Sequence, residues 1–491
     1  MSSKSLLCVT VTGATTAELR QRRDAVEGAD LVELRLDTVS DPSVAGALAG
    51  RKAPVLVTCR PSWEGGSFRG SEEERKRILE DALKLGANFV DVEWRAGFTD
   101  LIDRSGGRGI VLSMHDFDGV PQDLPALVHA MRATGADVVK VAVTPRQLSD
   151  LVLLLDVGAQ ASRDGKFVII GMGDFGIATR VLAARFGSAW TYAGPFRQIG
   201  QLDAATLVNE YRFASVTEST AVYGIVGGSL SHSVSPSMHN AAFGAMHMDA
   251  VYVPLPAVNA DDFVRFGRAI GIKGASVTIP HKVTLFERVD EVYAVARRVG
   301  AINTIRADGT RWIGGNTDTQ GFLEPLQSRV NLRGLRVAVM GAGGAARAVA
   351  VALASCGSNA RLYARDRAKA EMVATLTSVD VGDWPPKPDT WDLLVNTTPV
   401  GMVPCVDATP IEKPHLTGRY VYDLVYNPPV TRLLREAGEM GCQTIGGLDM
   451  LVAQAHEQFQ WWTGMRAPAG VMREAALRRL AEFARHENHV V

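Results

Sequence analysis

From its start to about residue 195 the chain alternates short β-rich apolar runs with helical stretches. The runs are Cys8–Thr12, Leu31–Leu36, Val55–Thr58, Phe89–Val92, Ile110–Ser113, Val138–Val143, Phe167–Ile170 and Trp190–Ala193. Between them lie helical segments such as Ser71–Leu85, with its charged Glu-Glu-Glu-Arg-Lys-Arg start, and Leu124–Ala133 after Pro121. Strands that alternate with helices predict βαβ units and a parallel sheet. Eight units in this length fit a (β/α)8 TIM barrel, whose chemistry sits at the C-terminal ends of its strands. Around Glu218 the pattern resets. A strand Val222–Val226 runs into a Gly- and Ser-rich turn, and from Arg336 a buried strand, a Gly-rich turn and an Ala-rich helix follow. That is the context a dinucleotide-binding fingerprint demands. The boundary between the two architectures falls at about 216–221.

Composition narrows the setting. The 491 residues carry 52 Lys+Arg against 53 Asp+Glu, a net charge of −1. Such a balance argues against a nucleic-acid or acidic-membrane surface as partner and leaves small molecules. No apolar run is long enough to span a bilayer, since even Leu151–Leu155 is closed off by Asp150 and Asp156. The start lacks the features of a signal or transit peptide, so a cytoplasmic protein is expected. Cys8, Cys59, Cys356, Cys405 and Cys442 lie far apart, which predicts buried free thiols, no disulfide framework and no metal site.

The ends of the first eight strands gather chemistry. Glu33 and Arg35 close the second, Arg60 follows the third, Glu93 closes the fourth, His115 follows the fifth, and Lys140 lies inside the sixth. A barrel interior desolvates a lysine and lowers its pKa, and a neutral amine attacks a ketone. The plain alternative is that Lys140 reaches a barrel end or pairs with an acid such as Glu93. A nucleophile, an acid/base and a group to orient the base on consecutive strand ends favour catalysis, and the arginines suit a carboxylate substrate.

Residues 5–215 resemble type I 3-dehydroquinate dehydratase. The resemblance runs through Val32-Glu-Leu-Arg-Leu-Asp, Thr58-Cys-Arg with Glu64-Gly-Gly, Asp91-Val-Glu, Ser113-Met-His-Asp-Phe, Val139-Lys-Val-Ala-Val-Thr-Pro and Met172-Gly-x-x-Gly-Ile-x-x-Arg180. It implies that Lys140 forms a Schiff base with the substrate ketone, that His115 moves the protons, and that Glu93 orients His115. Glu33, Arg35, Arg60, Arg180 and Gln201 match its substrate-binding positions. The family's closing loop reads Ser/Ala-Pro-Gly-Gln, whereas here it reads Arg197-Gln-Ile-Gly-Gln201.

In the second half, Gly341-Ala342-Gly343-Gly344-Ala345 opens a helix whose N-terminus suits a pyrophosphate. After the next strand come Arg365, suited to the 2′-phosphate of NADP, and Asp366, suited to the ribose hydroxyl of NAD. Residues 222–488 resemble shikimate dehydrogenase through Ser233-Val-Ser235-Pro, Val277-Thr278-Ile-Pro-His-Lys282, Gly300-Ala-Ile-Asn303-Thr, Gly315-Asn-Thr-Asp318, the Gly-rich turn, Asn396-Thr397-Thr-Pro and Gly447-Leu-x-Met-Leu-x-x-Gln454. The resemblance implies a catalytic pair, Lys282 and Asp318. Ser233, Ser235, Thr278, Asn303 and Gln454 match substrate contacts, and Thr397 joins the cofactor site. Arg365 favours NADP(H).

These readings divide the chain into a barrel at 1–217, a substrate-binding lobe at 222–325, a Rossmann lobe at 326–455 and a C-terminal helical segment at 456–491. The expected function is dehydration of 3-dehydroquinate followed by NADPH-dependent reduction to shikimate. Two alternatives are a catabolic quinate or shikimate oxidoreductase and an inactive metabolite-sensing regulator. An oligomer is left open.

Overall fold

The computed structural model describes residues 4–487; the outermost residues of the expected first and last segments lie outside them. Eight parallel strands form the first sheet: β1 Leu6–Val11, β2 Leu31–Arg35, β3 Val55–Thr58, β4 Phe89–Glu93, β5 Ile110–Asp116, β6 Val138–Val143, β7 Lys166–Gly171 and β8 Trp190–Ala193. Each of β1 to β6 pairs with the next, β6 pairs with β7, and β8 pairs with β1. Between β7 and β8 the Ala189 N–H donates to the Phe167 carbonyl at 2.7 Å, and Ser188 Oγ takes the Ile169 N–H at 2.9 Å. The ring is nearly closed.

Side chains alternate along a strand, so residues two apart share the barrel interior. One interior layer is apolar, with Cys8, Leu31, Leu56, Val111, Val138, Val168 and Trp190 in one buried cluster. Two residues further along the same strands stand Thr10, Glu33, Thr58, Ser113 and Lys140, all buried. The sequence thus floors the barrel with hydrocarbon and places polar chemistry one pleat higher, towards the C-terminal ends.

The helix Glu72–Lys84 follows β3. Ser71 caps it by accepting from the Glu74 N–H at 3.2 Å, and three glutamates occupy its first turn, where the helix dipole favours negative charge.

The chain forms two compact units. The first runs to Ala221 and includes Asp249–Val258 and Arg265–Ile270; the second takes Val222–Met248, Asn259–Val264 and the chain from Gly271 on. In the second unit one mixed sheet places Gly274–Val277 parallel to Ala221–Gly227 and antiparallel to Thr304–Asp308, which pairs in turn with Arg311–Gly315. The other sheet is wholly parallel, ordered Asp380–Val381, Asn359–Tyr363, Arg336–Met340, Leu393–Asn396, Tyr420–Asp423, Gln443–Ile445. Counted along the chain this is the order 3-2-1-4-5-6 of a doubly wound Rossmann sheet, whose ligand site lies at the switch point beyond its first strand.

Two expected boundaries need correction. The helices Asp318–Gln327 and Gly447–Thr463 run unbroken across 325/326 and 455/456. They lie against each other so closely that a Cβ at Gly321 would stand 2.7 Å from the Gln454 Cβ. Each helix continues past the expected boundary, the first with Pro325 inside it, so no boundary falls within either. The cysteines are free, but only Cys8, Cys59 and Cys442 are buried; Cys405 is exposed and Cys356 half-buried. Cys405 follows Pro404 in a loop outside the regular elements.

Candidate active sites

Glu33, Arg35, Arg60, His115, Lys140, Arg180 and Gln201 line one pocket of about 150 Å³ at the C-terminal mouth of the barrel. Lys140 lies in its wall. Its Nζ donates to Asp91 Oδ2 at 3.0 Å and sits 4.6 Å from the centre of the Tyr192 ring. Asp91, not Glu93, is therefore the acid that meets the lysine. Burial opposes ionisation of Asp91, but Arg60 and Lys140 overcome it and hold this carboxyl well below the usual range.

The expected partner of His115 also needs correction. Glu64, on the turn after β3, takes both the His115 backbone N–H at 3.1 Å and the ring Nδ1 at 3.0 Å. No hydrogen bond among the described residues joins Glu93 to the imidazole; its carboxylate meets two guanidinium groups, with Oε1 on Arg60 at 2.8 Å and Oε2 on Arg75. Burial pushes the Glu64 carboxyl up to about 7, opposed by Arg60. Burial, with Arg60 and Lys140 nearby, drives His115 well below its ordinary value, so the ring is a neutral base. A neutral imidazole that gives its Nδ1 proton to Glu64 leaves the Nε2 lone pair for substrate.

Around them stand the groups a hydroxylated acid needs. Glu33 accepts from Thr10 at 2.7 Å and Thr58 at 2.8 Å, and Gln201 Nε2 donates to Thr10 at 3.2 Å. Arg35 is held by Asp37 at 2.8 Å and lies 4.8 Å over the Phe196 ring. Arg180 differs from the other two arginines: it is 2% exposed and has no carboxylate partner among the described residues. Its Nη2 donates to the Ile199 carbonyl at 2.9 Å, and burial alone pulls it down to about 10. A buried guanidinium left without a counter-ion is a seat for an anion. The loop Phe196–Gln201 is docked by this bond and by the Arg35–Phe196 contact, while Arg197 points outward, 3.8 Å from Asp203.

The second site lies in the second unit. A cleft of about 1010 Å³ is lined by Thr278, Lys282, Gly341 to Ala345, Arg365 and Thr397. Lys282 Nζ meets Asp318 Oδ2 at 2.5 Å. Asp318 begins its helix, and Asn303 Nδ2 holds its other oxygen at 2.7 Å. Asn303 also touches Gln454 Oε1 at 3.4 Å, so four of the expected residues form one network. Ser233 and Ser235 sit at the start of the helix Ser235–Ala245, where the Ser235 N–H donates to Ser233 Oγ at 3.3 Å. No hydrogen bond among the described residues joins these serines to Lys282 or Asp318.

The cleft fits a dinucleotide. Gly341 has φ +119°, which favours glycine, and a Cβ there would stand 2.5 Å from Thr397 Oγ1. Gly343 faces open space and begins the helix Gly344–Ser355 with no side-chain cap, leaving the first N–H groups for a pyrophosphate. Arg365 is exposed and without an ion pair among the described residues, whereas Asp366 is engaged: it caps the helix Arg367–Thr377 from the Lys369 N–H at 3.1 Å and pairs with Lys369 at 3.2 Å. That leaves the arginine free for a 2′-phosphate. No group of three His, Cys, Asp or Glu side chains that could hold a metal exists among the described residues.

The fold and sites define a two-headed enzyme, a barrel lyase with an amine nucleophile joined to a Rossmann oxidoreductase. Comparisons with known proteins agree. The model of type I 3-dehydroquinase matches residues 7–218, that of the shikimate dehydrogenase substrate binding domain 225–305, and that of the shikimate 5′-dehydrogenase C-terminal domain 447–477. The bifunctional 3-dehydroquinate dehydratase/shikimate dehydrogenase of Arabidopsis thaliana, described as chloroplastic, is 35% identical over 479 residues, covering 90% of this chain and 79% of that protein. The NADP(+) shikimate dehydrogenase of Symbiobacterium thermophilum is 42% identical over 277 residues, covering 53% of this chain and 94% of its own. A crystal structure of a shikimate dehydrogenase in complex with NADP+ superposes with a TM-score of 0.51 at 35% identity, covering 53% of this chain and 96% of that one. The chain belongs to the family of bifunctional 3-dehydroquinate dehydratase/shikimate dehydrogenases.

Proposed function

We propose that this protein dehydrates 3-dehydroquinate to 3-dehydroshikimate in its barrel and reduces that product to shikimate with NADPH in its second unit, two successive steps of the shikimate pathway. The observation that carries the reading is the barrel pocket, which holds an amine, a neutral imidazole and an uncompensated buried guanidinium together. Arg180 seats the substrate carboxylate. Lys140 Nζ, once deprotonated, adds to the ketone and water leaves, giving an iminium that draws electrons from the adjacent carbon. His115 Nε2 takes the proton there while Glu64 fixes Nδ1, and the same imidazole returns a proton to the departing hydroxyl. Water then hydrolyses the imine and frees Lys140, for a net loss of one water.

In the second site bound NADPH supplies hydride to the ketone carbon. Lys282 gives the carbonyl oxygen its proton, and Asp318, fixed by Asn303, holds the ammonium in line. Ser233, Ser235, Thr278 and Gln454 are proposed to bind the hydroxylated ring and its carboxylate. Among the described residues no helix is long and apolar enough to cross a membrane. A cytoplasmic location is proposed; the Arabidopsis relative, by its name, is chloroplastic.

The test is borohydride reduction in the presence of 3-dehydroquinate, followed by peptide mass mapping. A covalent adduct on Lys140 is expected, and an adduct elsewhere or none overturns the barrel mechanism. With NADPH added and no borohydride, enone absorbance should rise before NADPH is consumed.

A further inference from the structure

Behind the barrel pocket lies a line of alternating charges of which the reaction described above uses only the first member. It starts at Lys140 and runs through Asp91 and Arg60 to Glu93. Arg60 Nη2 meets Asp91 Oδ1 at 2.8 Å and Nη1 meets Glu93 Oε1 at 2.8 Å, with Ser113 Oγ bridging Arg60 at 2.9 Å and Asp91 at 2.5 Å. Beyond Glu93 the line leaves the sheet. Arg75, from the helix Glu72–Lys84, bonds the free oxygen of Glu93 with Nη1 and Glu72 with Nη2 at 2.6 Å. Its guanidinium lies 4.8 Å over the Phe98 ring, and its side chain is 0% exposed. The sequence shows only a charged helix start, yet one of those charges is sealed into the barrel wall.

Burying an arginine and a glutamate side by side is costly unless geometry and further hydrogen bonds compensate, and it is weak evidence for a stabilising role. What the arrangement does achieve is geometric. Arg60 is gripped by two carboxylates, and among the described residues Arg75 is the side chain that donates to the far oxygen of one of them, Glu93. Without Arg75 that oxygen would face a buried void in its hydrogen bonding, and Glu93 would turn or take up a proton.

We propose that Arg75 is a positioning residue for the dehydration: through Glu93 it holds the Arg60 guanidinium at the pocket wall, where Arg60 meets substrate and keeps Asp91 against Lys140. This rests on the dehydratase reading of the barrel. The groups that face Glu93 and Arg75 are Glu72 from the helix, Cys59, Arg60 and Glu64 from β3 and the turn after it, and Asp91 from β4. Burial raises Glu93, while Arg60 and Arg75 act against it. Removing Arg75 therefore raises Glu93 further, and the grip on Arg60 is lost from the acid side as pH falls.

The test compares the full chain with Arg75→Met, Arg75→Lys, Glu93→Gln and the double variant Glu93→Gln with Arg75→Met. For Arg75→Met, KM for 3-dehydroquinate is expected to rise about tenfold with kcat within about threefold. The acid limb of kcat/KM should move up by about one unit or more. Arg75→Lys should bring the limb back towards the wild-type position. In the Glu93→Gln background, adding Arg75→Met should leave the limb where Glu93→Gln has it, because no carboxyl remains there to titrate. This pair exchanges two buried charges for neutral groups and keeps the test available should Arg75→Met alone not fold. A limb that stays in place in Arg75→Met, or one that moves equally with and without the Glu93 carboxyl, overturns the proposal while borohydride trapping on wild-type Lys140 still supports the dehydratase reading. Failure of wild type to trap overturns that reading, and this proposal with it.

Discussion

At the scale of single residues the barrel site is governed by which acid meets which base. Glu64 must be ionised to accept the Nδ1 proton of His115 and leave Nε2 as the base. Its carboxyl is raised to about 7 by burial, so the ionised form is lost as pH falls through 7 and kcat/KM should fall with it. Glu64→Gln should remove that acid limb and lower kcat by about a hundredfold, within the range of a lost acid–base arrangement; a pH profile with the limb intact would refute the assignment. Arg180 carries the opposite trade. Its burial without a counter-ion lowers its pKa to about 10, which places a cost on the order of a few kcal/mol on holding the charge. Arg180→Met should therefore raise Tm while raising KM at least about tenfold, a stability gained at the expense of binding. Little of this was legible beforehand. Glu64 stands in the motif Glu64-Gly-Gly, yet nothing in its 51-residue separation from His115 says they touch. Glu93 looked like the orienting group because it closes the neighbouring strand, but both of its oxygens are taken by arginines.

At the scale of elements the chemistry is a matter of pleat and helix start. The ends of the eight barrel strands lie within three residues of those of the apolar runs, since parallel strands buried under helices are written as apolar runs in sequence. The helix Leu124–Ala133 has the bounds that the sequence predicts, and the predicted Ser71–Leu85 is the helix Glu72–Lys84 with its two flanking caps. The Gly-rich turn at 341–345 was likewise legible, because φ +119° and an uncapped helix start leave a residue-level signature. Two predictions belong here. Arg365→Ala should cut kcat/KM for NADPH by about tenfold or more and leave NADH nearly unchanged, as expected for one charge-assisted contact to a phosphate; equal losses would point to a structural role. Asp366→Ala should destabilise the helix Arg367–Thr377, as loss of an N-cap does. Denaturant unfolding with the ratio of the two coenzymes measured alongside separates the two residues. The helix start at 72–77 was harder: Arg75 and Arg77 read alike in sequence, and only one is buried.

At the scale of the whole molecule the two sites use separate nucleophile and acid sets. Lys140→Ala should abolish dehydration while reduction of 3-dehydroshikimate continues at its normal rate, and Lys282→Ala should lower the reduction by about a thousandfold and spare the dehydration. Coupled and single-step assays on the same preparations decide it. The order of apolar runs and the glycines are encoded locally, by period-two burial and backbone freedom, so the barrel and the Rossmann sheet follow from sequence, while the candidate roster of Lys140, His115, Lys282 and Asp318 came with the family resemblance of the motifs that hold them. The pairings follow from neither. Closing a sheet of eight strands brings residues far apart in the chain within 3 Å, and there burial and a few ångströms of register decide that Lys140 meets Asp91, that His115 meets Glu64, and that a helix arginine reaches through the wall to Glu93. Charge interactions at short range in a desolvated interior depend on distances that only the folded chain sets.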